Sequence, residues 1–121
     1  MASDLRAAYL AQLRSGDDSF PPECLEYVFQ LVFRASYRGK GFRDLPAAEL
    51  FRIFHRQVAD DFGSFAPNAL DRFGLRSGGD LGRAIFLLAG SGCLSLGQGE
   101  TLEAYASLGP IRFRFGGDAD A

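Results

Sequence analysis

The stretch PAAELFRIFHRQVADDFG, residues 46–63, decides the fold class. Pro46 suits a first helical turn, whose N–H groups have no partner inside the helix. Leu50, Phe51, Phe54 and Val58 then recur at steps of three and four, the signature of one helix face. Gly63 closes the run at a position suited to positive φ. The spacing predicts a helix from Pro46 to about Phe62.

Towards the C-terminus the same period continues. Phe65, Ala66, Ala69, Leu70 and Phe73 predict a short helix, with Pro67 in its first turn and Gly74 as its stop. Ser77-Gly78-Gly79-Asp80 has capping-box spacing, with Asp for the usual Glu. The helix it opens turns Leu81, Ala84, Ile85 and Leu88 inward, Phe86 and Leu87 broaden its stripe, and Gly90 and Gly92 end it. Cys93-Leu94-Ser95-Leu96 reads as a short strand. Thr101 caps a last short helix through Leu108, and Ile111-Arg112-Phe113-Arg114-Phe115 alternates as a half-buried strand does.

Towards the N-terminus, Phe20-Pro21-Pro22 starts a helix in which Leu25, Val28, Phe29, Val32 and Ala35 share a face. Leu31 and Phe33 widen that stripe, as in a well-buried central helix. Before it, Ser3 or Asp4 can cap a helix with Leu5, Ala8, Tyr9 and Leu13 on one side. The expected fold is mainly α: a bundle of five to six helices with a small two-stranded element near the C-terminus. Its order of helices and strands also echoes a winged helix. Residues 1–115 read as one domain and 116–121 as a frayed acidic tail.

Composition bounds the function. The chain has 121 residues, 12 Phe, no Trp, 12 Arg to a single Lys, and a net charge of −2. Its aromatics suffice to fill a core without a metal or disulfide staple. Cys24 and Cys93 read as two buried thiols rather than a bridge or a ligand pair, and no cofactor is expected. Asp4, Arg6 and Arg14 interrupt any secretory h-region, and no apolar run is long enough for a membrane span. The cytoplasm of a bacterium is the expected setting.

Four cations and no acid fall in residues 34–43: Arg34, Arg38, Lys40 and Arg43, around Gly39 and Gly41. Arg52 and Arg56 extend the cationic side on the next helix, one turn apart. A glycine loop with cations can cradle a phosphate or an acidic partner segment, or can simply be solvated. There is no strand–GxxxxGK[ST]–helix order, so this is not a P-loop. These six residues are the candidate partner- or anion-binding surface. Gly78-Gly79 before a helix could also hold an anion, though Asp80 competes for the same N–H groups. Arg112 and Arg114 fit either an interface or a protected strand edge.

Candidate catalysts are few. His55 is the only imidazole and falls off the apolar stripe, so a general base would need Asp44 or Asp61 brought to it by the fold. Asp60 and Asp61 point about 100° apart on a helix and do not form an acid/base pair; Arg56, one turn earlier, is their expected partner.

Three stretches together resemble a known family. They are Tyr27-Val28-Phe29 running to Tyr37; Ala48-Glu49-Leu50 running to Asp61-Phe62-Gly63; and Phe73-Gly74-Leu75 followed by Asp80-Leu81-Gly82, Ile85-Phe86, Leu88 and Gly92-Cys93-Leu94. The chain resembles, from about residue 27 to 108, the Minf-type family of small uncharacterised bacterial proteins. Phe73 stands where that family's pattern has Trp, Arg43 lies about where it has His, and its acidic turn is diluted to Glu100-Thr101-Leu102-Glu103. Any chemistry of that Trp or His would be missing here. The family has no assigned activity, so the resemblance implies fold boundaries and no function.

Three function classes follow. A non-enzymatic protein-interaction or scaffold module with a basic patch fits best, with Phe42, Phe65 or Phe86 as candidates for an exposed apolar contact. A winged-helix nucleic-acid binder is the alternative, its fifth helix offering Arg83, but a −2 chain lacks the usual basic excess. An enzyme would need a cleft gathering Tyr37, Asp44 and His55. The oligomeric state stays open.

Overall fold

In the computed structural model, residues 2–14, 20–36, 46–91 and 101–113 are described, and they are mainly helical. Six α-helices follow in order: α1 (Ala2–Arg14), α2 (Pro22–Ser36), α3 (Ala47–Phe62), α4 (Ala66–Phe73), α5 (Gly78–Gly90) and α6 (Leu102–Ala106). A single 3-10 turn, Gly63–Phe65, joins α3 to α4. No described helix is long and apolar enough to cross a membrane.

The periodic stripes become one core. Ala8, Leu25, Phe54, Leu70, Leu81 and Tyr105, one from each helix in turn, belong to the same buried cluster. α5 packs on α1, α2 and α6, while α3 packs on α2, α4 and α6. Leu81, Ala84, Ile85 and Leu88 are all inward, as their spacing predicts. Burying such a side chain stabilises by about 1.5–3 kcal/mol each.

The ends of the helices follow local chemistry. Pro46 sits one residue outside α3, as its N-cap, and Gly63 follows α3 with φ 55°. α4 ends on Gly74 at φ 79°. There the Gly74 N–H donates to Asp71 and the Leu75 N–H to Leu70, at 3.2 and 2.9 Å. That pair of bonds is a Schellman close, which needs a left-handed residue and so favours glycine. Thr101 caps α6, its hydroxyl accepting from the Ala104 N–H at 3.1 Å, and the helix stops at Ala106 rather than Leu108.

Three expectations are corrected. Leu13 is 42% exposed, whereas its neighbour Gln12 is 2% exposed. Gln12 turns inward because its amide meets both backbone groups of Phe20: Nε2 donates to the carbonyl at 2.8 Å and Oε1 accepts from the N–H at 2.9 Å. Phe33 lies outside the core, paired ring to ring with Phe29 at 5.8 Å. Phe65 belongs to the 3-10 turn, not to α4, and points to solvent at 71% exposure.

Of the expected C-terminal strands, only part lies among the described residues. Ile111–Phe113, the described part of the alternating segment, forms no strand. The chain there is held by one antiparallel bridge, Ser77 to Pro110. The Gly78 N–H donates to Gly109 at 2.8 Å and the Ile111 N–H to Arg76 at 2.9 Å. The proposed strand at 93–96, Cys93 and the tail 116–121 lie outside the described residues.

One packing device escapes periodic reading. Gly78 and Gly82, one turn apart on α5, form the seat of α6. A Cβ at Gly82 would stand 2.5 Å from the Cβ of Tyr105, and one at Gly78 would stand 2.5 Å from the Tyr105 carbonyl oxygen. Real Cβ atoms do not approach so closely, so only glycine admits α6 at this distance.

Candidate functional site

The outward face of α3 carries the cations that the sequence singles out. At 100° per residue, Arg52 and Arg56 fall opposite the buried Phe54 and Leu50. Both are exposed, and no described carboxylate forms an ion pair with either. Glu49 and Asp60 lie one turn from Arg52 and Arg56 respectively. Glu49 is half-buried and has a partner; Asp60 is exposed.

His55 lies on the other flank of this face and is half-buried. Its Nε2 meets the backbone carbonyl of Arg112, a partner 57 residues away in sequence. The carbonyl accepts, so Nε2 carries the hydrogen. The imidazole also stacks on Phe113, with ring centres 4.4 Å apart and planes inclined by 19°. His55 therefore pins the C-terminal segment to α3. The backbone of Arg112, whose residue is exposed, is thereby held at the helix that carries Arg52 and Arg56.

Arg34 stands on a different helix. It is exposed near the end of α2, two turns on from Tyr27 on the same side. Tyr27 meets the inner face of α3 towards its C-terminal end, where its ring packs against Phe54 at 6.4 Å and Phe62 at 5.6 Å. Arg38, Lys40 and Arg43, like Tyr37, Phe42 and Asp44, lie outside the described residues.

Asp61 has partners other than the expected Arg56. Its carboxylate accepts from the Tyr27 hydroxyl at 2.7 Å and from the Gln57 amide at 2.9 Å. Burial, reinforced by the hydrogen bond to Asp61 and its negative charge, holds the Tyr27 phenol well above its ordinary range, so it stays protonated. Phe73 and Phe62 complete this aromatic cluster, Phe73 with its ring 5.6 Å from that of Tyr27. A protonated phenol and an engaged carboxylate make a structural contact, not an acid/base pair.

The start of α5 is self-capped. Ser77 Oγ accepts from the Asp80 N–H at 3.2 Å, and Asp80 Oδ2 accepts from the Arg76 N–H at 2.9 Å. Of the N–H groups an external anion would use, that of Asp80 goes to Ser77 and that of Gly78 to the Gly109 carbonyl. The Asp80 carboxylate also pairs with Arg83, whose guanidinium lies 5.5 Å over the Phe20 ring. Arg76 is held by Asp71 through Nε and Nη2, at 3.0 and 2.6 Å.

Among the described residues no group of His, Cys, Asp and Glu side chains is placed to hold a metal ion. Cys24 is a free thiol, buried in the core, and burial pushes its pKa up to about 12. It is a packing residue rather than a nucleophile. Phe86 is half-buried against Tyr105, so of the three candidate apolar contacts Phe65 alone is shown exposed.

No family model, no curated protein and no solved structure matches this chain.

Proposed function

We propose that this protein is a small, non-enzymatic, cytoplasmic interaction module that engages a protein partner through the basic outer face of α3. One observation carries the reading: Arg52 and Arg56 stand exposed on adjacent turns without an ion pair among the described residues, although the chain is acid-rich enough to pair them. Exposed guanidiniums are ready for bidentate contact with an incoming carboxylate. Phe65, at 71% exposure, offers a separate apolar contact. The reading carries with it the Minf-type kinship, a bacterial origin, and a bundle of five to six helices closed by a two-stranded C-terminal element.

Affinity capture with in-cell cross-linking tests it. The wild-type chain should retain a discrete protein that the Arg52→Glu/Arg56→Glu variant loses. Identical captured sets would refute it.

A winged-helix nucleic-acid binder is the second reading, supported by the succession of α3, α4 and α5. Its recognition helix would be α5, whose Arg83 is tied to Asp80, while Arg76 just before it is tied to Asp71. Paired cations release fewer counterions from a phosphate backbone, which weakens that reading. A salt-dependent gel shift, abolished by replacing Arg76 and Arg83, would restore it.

A further inference from the structure

We infer that the binding surface is a composite of α3 and the C-terminal segment, formed by Arg52, Arg56 and Arg112 around His55, and that it takes a short acidic peptide segment. This rests on the interaction-module reading and names the partner's chemistry. Sequence separates Arg112 from α3, and the structure joins them through the His55 contact to the Arg112 carbonyl and the His55–Phe113 stack. Because the backbone carbonyl of Arg112 makes that contact, its side chain is left exposed to act on a ligand.

The surroundings set the ligand's size. Arg52 and Arg56 are about 6 Å apart along the helix axis, and Glu49 and Asp60, the acids that bracket them on that side, are about 16 Å apart. A long polyanion laid along α3 would run into these carboxylates. A segment presenting two or three carboxylates fits between them, entering from the His55 and Arg112 flank. The side-chain type points the same way, since three guanidinium forks match carboxylates pairwise.

Aromatic chemistry separates this from single-stranded nucleic acid. Such binders offer free ring faces on which bases stack. Here the ring beside the arginines, Phe113, already has the His55 imidazole against it.

Fluorescence anisotropy with labelled hexaglutamate at low salt tests the inference, with a 20-nucleotide oligo-dT as the competing probe. Hexaglutamate should bind, and Arg52→Glu and Arg112→Glu should each weaken it on the order of tenfold, about 1.4 kcal/mol. Arg56→Glu, next to Asp60, should weaken it less. Arg34→Glu makes the same change in net charge elsewhere and should leave affinity within about twofold. Circular dichroism should show all four variants folded.

Three results would overturn it: no hexaglutamate binding by the wild type, equal losses in Arg34→Glu and Arg112→Glu, or tighter binding of oligo-dT. If Arg112→Glu changes nothing while Arg52→Glu abolishes capture of the cellular partner, the composite surface fails and the α3 module stands. If neither variant alters capture, both fail.

Discussion

The arginines of this molecule fall into two regions with opposite treatment. Around the start of α5, Arg76 is gripped by Asp71, and Arg83 by Asp80 and the Phe20 ring. On the outer face of α3, Arg52 and Arg56 have neither acid nor ring as a partner among the described residues, and the Arg112 backbone is held to the same helix at His55. Charge near α5 organises the chain itself: it caps a helix and ties down the approach to it. Charge on α3 is left over from folding. The contrast teaches where to look for a partner, because a cation spent on an internal pair must first be released before it can bind another.

The largest expected effect comes from the packing that sets the α5 region. Tyr105 is 1% exposed and seated on glycine, so Tyr105→Ala should cost about 3–5 kcal/mol, like other buried aromatic truncations. Urea melts would read it. A loss below about 1 kcal/mol would mean that α6 is not an integral part of the core.

Gly82→Ala should cost about 1–3 kcal/mol in the same melt, since its methyl group would meet the Tyr105 side chain at 2.5 Å. Neutral behaviour, as a helix interior would otherwise favour with alanine, would show that the two helices sit further apart.

The Cys24 thiol gives a pH signature of similar origin. Its folded pKa of about 12 lies above the ordinary thiol value near 9, so its contribution is intact below pH 9. Above that the unfolded thiol ionises while the folded one does not, and stability falls as pH rises towards 12. The expected decline is about 1 kcal/mol between pH 9 and 10. In Cys24→Ala that part of the alkaline slope should vanish, although the half-buried Tyr27 phenol, held protonated beside Asp61, will add a decline at higher pH.

The smallest effects test the comparison most directly. Arg76→Ala should lose at most about 1 kcal/mol, being an exposed pair, and Arg52→Ala less than about 0.5 kcal/mol, having no pair to lose. If Arg52→Ala proved the more damaging, the division between spent and unspent arginines would collapse.

Periodicity made the helical architecture readable. The inward set Leu81, Ala84, Ile85 and Leu88 is a regular function of spacing, and so are the terminators Gly63 and Gly74. What spacing could not supply were contacts that depend on two distant residues at once. Leu13 is the apolar choice for the inner face of α1, yet Gln12 wins because a primary amide can satisfy both backbone groups of Phe20. Phe65 fits the α4 pattern, but the chain makes a tighter turn first and carries it outside.

The candidate site was legible only in half. Arg52 and Arg56 announce themselves by their one-turn separation. Arg112 has no signal in α3's pattern, since an imidazole–carbonyl contact across 57 positions brings its backbone to that helix. Gly78 and Gly82 were readable as a pair of small residues one turn apart, a hint of close helix approach that the capping motif overlapping them obscured.

The Gln12–Phe20 clamp reverses the usual order of tolerance to substitution along α1. An amide of that length is the only side chain offering a donor and an acceptor in the right places: Glu lacks the donor, and Asn is one carbon short. Leu10 and Leu13, apolar but exposed at 43% and 42%, touch nothing so demanding. In a saturation library of this helix the polar residue should thus be the intolerant one, and the leucines beside it the freely exchanged ones.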